Sequence, residues 1–558
     1  MNLPALSPET TQGLLGNHIK SSYSLKWWLG IAWVGFLILP WYAAYDGFWS
    51  FIWITDGYPT FDEYSPGILQ ITMHQRWWLW PIALALLVPL PALFLPRTDP
   101  RHAAALLFGG GFGFVYMLTQ GFVLSLHGWG WVFLGDIFGP TTQTQMGLGY
   151  GALLVCAGFL FLFTQGMAGR GAIKGDVFVS GTIGLSIAMV TAFVFFPVGK
   201  ILINAVKNDE GDYVFSLFLE KISSNNIWSL ACLNSEFSCG IAWNSLWMGV
   251  LVGLATTVLG LAFALLVTRT GMQAKGFVRT VSLLPIITPP FVIGLALILL
   301  FGRAGAVNSF LEWAFDIEPT RWIYGLTGIL IAQILAFTPI AFLVLIGVVE
   351  GVSPSMEEAA QTLHASPWQT FWTVSLPLMR PGLANAFLLG FIESLADFGN
   401  PLVLGGQYEV LSTQIFFAIA GAQGDLGMAA VLSIVLLMFT LSAFYAQRRW
   451  LGKKSYATVT GKGDSGMHVQ LPKRVAWGAY LTAMPFIGLS LVVYGMILFG
   501  GFVETWGYKH NFTFKHYIDE FSIHWSEQYG IIWDGAAWNS FWTTLQISAI
   551  SAPLTAGL

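Results

Sequence analysis

The sequence reads as an all-α protein, a polytopic transmembrane helical bundle of about twelve spans. Composition points there first: 55% of the 558 residues are hydrophobic and 10% charged, where an ordinary soluble domain carries roughly 25% charged residues. Mean hydropathy is +0.66. Apolar stretches of bilayer-crossing length, about 20 residues, recur along the whole chain. The placement of Lys and Arg agrees. With the N-terminus in the cytoplasm, most of them, including Arg97, Arg101, Arg170, Lys174, Arg269, Lys275, Arg279, Arg448, Arg449, Lys453 and Lys454, fall in cytoplasmic segments, as the positive-inside rule requires. The formal net charge of −4 is small and the basic residues form no stripe, so a nucleic-acid partner is not expected.

Residues 1–165 hold four spans, near 27–45, 77–95, 103–124 and 147–165. Lys20 and Lys26 precede the first, as in a secretory signal, but its apolar run is long for one and only Tyr42-Ala43-Ala44 offers a small-residue cleavage site, so it reads as a retained helix. Trp27, Trp28, Trp77, Trp78 and Trp80 stand at span ends, where indoles anchor at the membrane interface. Residues 166–447 begin with a leading span, 177–199, and continue through a periplasmic segment to a core of five spans near 244–268, 281–301, 325–349, 383–405 and 426–447. Cys232 and Cys239 share that periplasmic segment; an oxidising compartment permits a disulfide between them, and two free thiols are the alternative. Cys156, within a span, reads as a small apolar packer.

Segment 448–474, basic and then rich in Gly, Ser and Thr, reads as a cytoplasmic linker. Spans 475–503 and 541–558 come after it. A repeat ties them to the earlier spans: Ala242-Trp243-Asn244-Ser245-Leu246-Trp247 recurs 295 residues later as Ala537-Trp538-Asn539-Ser540-Phe541-Trp542, each time ahead of a long apolar run. Residues 475–558 therefore read as the start of a second half, with 475–503 matching the leading span, and the chain is expected to stop at Leu558 inside that second copy.

The cytoplasmic segment 350–381 between the third and fourth core spans carries helix-start signals. Ser353, Pro354 and Glu357 offer an N-cap, a first-turn proline and an acidic residue at the positive end of a helix dipole. Ser366 and Pro367 repeat the signal, and Pro377 is expected to end the second helix. Two short helices at the membrane surface result.

Glu358-Ala359-Ala360, then Ala365, Phe371 and Leu376-Pro377, resembles the EAA loop of the permeases of binding-protein-dependent ABC importers. The resemblance implies a type I importer permease core, with Glu357, Glu358, Ala359, Ala360, His364, Ala365, Phe371, Leu376 and Pro377 in the loop that docks a cytoplasmic ABC ATPase, a dimer. His364 departs from the family, which often has Gly there, so the turn between the two helices is expected to differ. The resemblance also implies a periplasmic substrate-binding protein as partner and a bacterial inner-membrane location. It gives no enzyme activity to this chain: ATP is hydrolysed by the partner, and no cofactor is bound here. A Walker A match is absent, Gly452-Lys453-Lys454-Ser455 lacking the upstream glycine.

Ionisable residues inside spans are functional candidates. Glu393 and Asp397 lie one turn apart with Asn400 on about the same side, a set of oxygens suited to a passing cation. Alternatively, Asp397-Phe-Gly-Asn-Pro401 merely breaks the helix where water solvates the carboxylates. The stretch Leu395 to Gly406, with Pro285 to Pro290 and Phe337 to Ala341, resembles the fused two-copy permeases of ferric-iron uptake, which implies iron as cargo; thiamine, phosphonate and polyamine importers of the same branch are alternatives. A secondary, ion-coupled transporter would share the spans and carboxylates but have no use for the loop. The nine histidines show no metal-ligand spacing, and neither a nucleophile-elbow serine nor a His-Glu-x-x-His motif is present.

Overall fold

Apolar runs become helices because a backbone in lipid must satisfy every N–H and C=O within its own segment. A computed structural model describes residues 24–557 except 44–47, 56, 62–63, 126–127, 130, 140–146, 209–212, 235–238, 422–423, 453–470, 506–508 and 528–529; His127, Lys453, Lys454 and most of the expected linker lie outside the described residues. Nine helices among the described residues are long and apolar enough to cross a membrane. Three short antiparallel hairpins, in the connections around Leu124–Trp129, Val503–Phe512 and Ile523–Trp533, are the strand elements described.

Proline accounts for most differences from the expected spans. The first helix runs over 24–37 and stops before Pro40. The apolar run Trp77–Leu93 is interrupted at Pro89 and Pro91, leaving one short helix, Trp80–Leu87, between single turns. Expected span 281–301 is two helices, Lys275–Ile287 and Pro290–Phe301, because Thr288 before Pro289 is driven extended, with ψ 131°. At other prolines the helix continues, as at Pro285, Pro339, Pro381 and Pro485, and at two more a widened turn comes first. Pro197 and Pro377 each follow a π-turn, Thr191–Phe195 and Phe371–Ser375; widening the turn takes up the donor that proline lacks and the clash of its ring. Pro377 thus does not end the second loop helix. One helix runs unbroken from Pro367 to Ala396.

The chain divides into two units, Met1–Gly199 and Lys200–Gly557. The division falls inside the long helix Val177–Asn204 and not near residue 165, because the first turns of that helix are bonded to the helix before it: Ser180 Oγ donates to the Thr164 carbonyl at 3.0 Å. Asp176 caps it by accepting from the Phe178 and Val179 amides. In the first unit, Pro100–Val123 and Tyr150–Gly169 cross at Gly166, where a Cβ would lie 2.7 Å from the Leu107 nitrogen. Small residues at helix crossings are the usual device in membranes, where apolar burial alone drives no association.

In the second unit three helices, Ile241–Arg269, Leu326–Glu350 and Leu376–Ala396, pack on one another around Phe263, Phe342 and Ala386. Gly260 lets Ile241–Arg269 approach Leu326–Glu350 so closely that a Cβ would meet the Ala341 carbonyl carbon at 2.8 Å. Helix Lys473–Gly500 lies on the same core through Ala483, Phe486 and Ile487, with the Phe263 and Phe486 rings edge to face at 5.3 Å. Polar groups pin the end of the bundle where Ile241–Arg269 begins: Asn244 Nδ2 donates to the Glu409 carbonyl at 3.0 Å, Ser245 Oγ accepts from the Leu411 amide at 2.8 Å, and Tyr408 donates to the Asn244 carbonyl at 3.1 Å. Lys221 and Asp425 pair at 2.8 Å, joining the helix Phe215–Ile222 to the start of Leu426–Leu451. Burial works against the Asp425 charge, yet the Lys221 hydrogen bond and pairing and the Met428 amide outweigh it and hold the carboxyl below its ordinary range.

Candidate functional site

The segment after Glu350 turns on Gly351 and restarts as helix Pro354–Thr362, with Ser353 at the N-cap and Pro354 in the first turn. Leu363 closes it, and His364 takes φ +62°, the left-handed region that favours glycine. This turn thus takes a conformation that glycine adopts without strain, although the residue here is histidine. The next helix begins with a capping box: Ser366 Oγ accepts from the Gln369 amide at 3.3 Å, and Gln369 Oε1 accepts from the Ser366 amide at 2.9 Å.

The loop has two faces. Glu358, Ala359, Leu363, His364 and Trp368 are exposed, and Ala360 and Ala365 half-buried. Leu363, at 82% exposure, is an apolar side chain with nothing over it. The other face is closed. Phe371 is buried, Leu376 and Pro377 are half-buried, and Glu357 is 1% exposed. The expectation that the nine loop residues share one docking surface is corrected accordingly: Glu357 and Phe371 face inward, because the helical period that turns Glu358 outward turns its neighbour in.

Glu357 meets a partner that its sequence neighbourhood does not contain. Arg269, in the last turn of Ile241–Arg269, reaches it with Nη1 at 2.7 and 2.8 Å from the two carboxylate oxygens. The same guanidinium donates through Nη2 to the Val349 carbonyl at 3.0 Å, and Ser375 Oγ donates to Glu357 Oε1 at 2.6 Å. Neither charged side chain is more than 3% exposed. In the sequence Arg269 is one of many basic residues at helix ends, and nothing marks it as a buried partner 88 residues from Glu357.

The carboxylates of span 383–405 are placed differently from one another. Helix Leu376–Ala396 stops at Asp397, whose Oδ1 accepts from the Gly399 and Asn400 amides at 3.0 and 3.3 Å. Its Oδ2 accepts from Gln333 Nε2 at 2.9 Å and Asn400 Nδ2 at 2.8 Å. Ser394 donates to Gln333 Oε1 at 2.6 Å, and Ser412 to the Asp397 carbonyl at 2.7 Å. Asp397 and Asn400 thus belong to one bonded cluster with Gln333 of the neighbouring helix. The helix break that the sequence allowed is real, but protein donors take the place of water. Glu393 stands apart, half-buried. Gln333, Ser394 and Ser412 went unnoticed in the sequence, since single polar residues in apolar runs carry no spacing signal.

Cys232 and Cys239 form a disulfide, with Cα atoms 4.8 Å apart. Among the described residues, no group of three or more His, Cys, Asp or Glu side chains is arranged to hold a metal ion. His74 is bonded to Ser65 Oγ at 3.0 Å.

Residues 256–450, which contain the loop and both of its anchors, match the family of binding-protein-dependent transport system inner membrane components. A Haemophilus influenzae protein described as a ferric transport system permease protein, FbpB 1, is 38% identical over 424 residues, covering 75% of this chain and 63% of that protein. The ferric transport system permease protein FbpB of Actinobacillus pleuropneumoniae is 37% identical over 419 residues, 75% of this chain and 58% of its own. The chain thus spans less than two thirds of the length of these two relatives. The sulfate transport system permease protein CysW of a Synechocystis species is 33% identical over 196 residues, 32% of this chain and 68% of that protein. With that match and the loop at its centre, this multi-pass membrane chain belongs to the family of binding-protein-dependent transport system inner membrane components.

Proposed function

We propose that this chain is the permease of an ATP-driven importer. A cytoplasmic ATPase dimer docks on the exposed face of the loop, and a periplasmic binding protein delivers the cargo to the other side. The observation that carries this reading is the two-faced loop. Glu358, Ala359 and Leu363 stand out from the protein with an apolar tip uncovered, while the opposite face is held by buried charge. An exposed apolar side chain on a well-anchored helix is what a partner surface needs. In this reading the N-terminus is cytoplasmic, ATP is hydrolysed by the partner, and the chain itself catalyses no reaction and binds no cofactor.

Ferric iron is the proposed cargo. The two relatives that match three quarters of this chain support it, since both are named for ferric transport. Thiamine, phosphonate or polyamine import would use the same machinery. Glu393 is the side chain proposed to face the path, with Asp397 and Asn400 shaping the helix break behind it.

Two measurements test the reading. In proteoliposomes holding the permease, its ATPase and its binding protein, ferric uptake should require ATP; uptake that ignores ATP and follows an ion gradient would make this a secondary transporter. Glu358→Lys should abolish co-purification of the ATPase while leaving the permease folded.

A further inference from the structure

The buried cluster of Arg269, Glu357 and Ser375 is chemically conspicuous. A fully desolvated ion pair is poor insulation against unfolding, because the cost of stripping water from both charges offsets most of their attraction, and apolar residues of the same volume often do as well. What such a pair supplies is geometry. Here one guanidinium nitrogen meets both carboxylate oxygens while the other holds a backbone carbonyl, so the planar group fixes distance and orientation together.

Here the geometry joins four elements. Arg269 ends Ile241–Arg269 and also holds the Val349 carbonyl in the last turn of Leu326–Glu350. Glu357 belongs to the loop helix Pro354–Thr362. Ser375 closes the π-turn at the base of Leu376–Ala396. Every one of the three central helices is therefore bonded, through one side-chain cluster, to the loop helix whose outer face is exposed. Apolar contacts could slide under load. Charge-assisted hydrogen bonds of 2.6 to 2.8 Å hold a single register.

We propose that Arg269, Glu357 and Ser375 form the clamp through which a push on the loop moves the three central helices as one body. They are positioning residues: they touch neither cargo nor ATP, and they act by keeping the loop helix rigid against the bundle. The proposal rests on docking of the ATPase at this loop and adds to it the route by which motion passes from the loop into the membrane. Such transmission needs an element with a defined coupling between its two ends.

The test uses the assembled transporter in proteoliposomes and reads three quantities: ATPase co-purification, ATP hydrolysis stimulated by the binding protein, and cargo moved per ATP hydrolysed. Glu357→Gln removes the charge at nearly constant shape, and Arg269→Lys removes the fork but keeps the charge. Both are expected to keep the ATPase bound and hydrolysing, while cargo moved per ATP falls about five- to tenfold. Ser375→Ala should lower the same ratio less, and Ser375→Thr, which keeps the hydroxyl, should restore it. These milder serine variants carry the test should the charged ones fail to fold. An unchanged ratio in the assembled variants overturns the clamp. So does a loss of ATPase binding that matches Glu358→Lys, since Glu357 would then serve attachment alone. If Glu358→Lys itself leaves the ATPase bound, the docking reading fails instead.

Discussion

The two copies of the Ala-Trp-Asn-Ser motif each begin a helix and stand in different surroundings within residues 24–557. Each follows a glycine, Gly240 or Gly535, and the helices start 295 residues apart, at Ile241 and Ala536. In the first copy Asn244 and Ser245 are buried and bonded to the turn at Glu409 to Leu411. In the second, Asn539 and Ser540 are exposed, and helix Ala536–Gly557 buries none of its residues. Identical local sequence therefore suffices for the helix start and its polar pair. It does not suffice for the bonds that pair makes, which need a second segment brought alongside.

The largest expected effect breaks this contrast directly. Asn244→Ala leaves the Glu409 carbonyl without its donor, and Ser245→Ala leaves the Leu411 amide without its acceptor; each should cost about 1–3 kcal/mol. Asn539→Ala and Ser540→Ala should stay within about 0.5 kcal/mol. Thermal unfolding in detergent measures both pairs, and equal effects would show that the exposure of the second copy has no energetic meaning.

A smaller effect sharpens the first copy alone. Tyr408→Phe removes the hydrogen bond to the Asn244 carbonyl and should cost about 1 kcal/mol. Burial pushes the Tyr408 phenol up to about 12, where an unfolded tyrosine titrates near 10. Because the folded value is the higher one, the contribution of the neutral phenol is fully present below about pH 10 and is lost as pH rises towards 12. Tyrosinate absorbance should follow that order, and Tyr408→Phe should flatten stability over the same window.

The smallest effect is local and should need no partner segment. His364 holds φ +62°, a strain that glycine lacks, while glycine also loosens the unfolded chain. His364→Gly should therefore gain about 0.5 kcal/mol at most, seen as slower proteolysis between Leu363 and Ser366. Faster cleavage would mean that the imidazole itself supports the turn.

Much of the fold was legible because the bilayer imposes length and the helix imposes period. The apolar runs near 103–124, 147–165, 325–349 and 426–447 are helices close to their expected bounds. So were the two helix starts of the loop, where Ser366 makes its capping bonds while Ser353 holds the N-cap position without a side-chain cap bond. Prolines were harder. The same residue stops the helix at Pro289 and is absorbed by a π-turn at Pro377, and no local rule separates the two outcomes. At the candidate site, Glu358 and Glu357 were indistinguishable in the sequence; only a neighbour 88 positions away sorts them into an exposed and a buried role. Asp397 is similar: its helix break was visible, but its donors come from Gln333 on another helix.

The amino-acid sequence alone determined that this chain is a helical membrane protein, that it carries a capped two-helix loop on one side, and that a six-residue pattern begins two helices. These follow from water-to-lipid transfer, from backbone hydrogen bonding and from capping, all of which act within a few residues. Only the tertiary structure decided which glutamate faces out and which carboxylate is caged. Those outcomes depend on groups far apart in the chain that meet at hydrogen-bond distance, and a string of neighbours does not contain that distance.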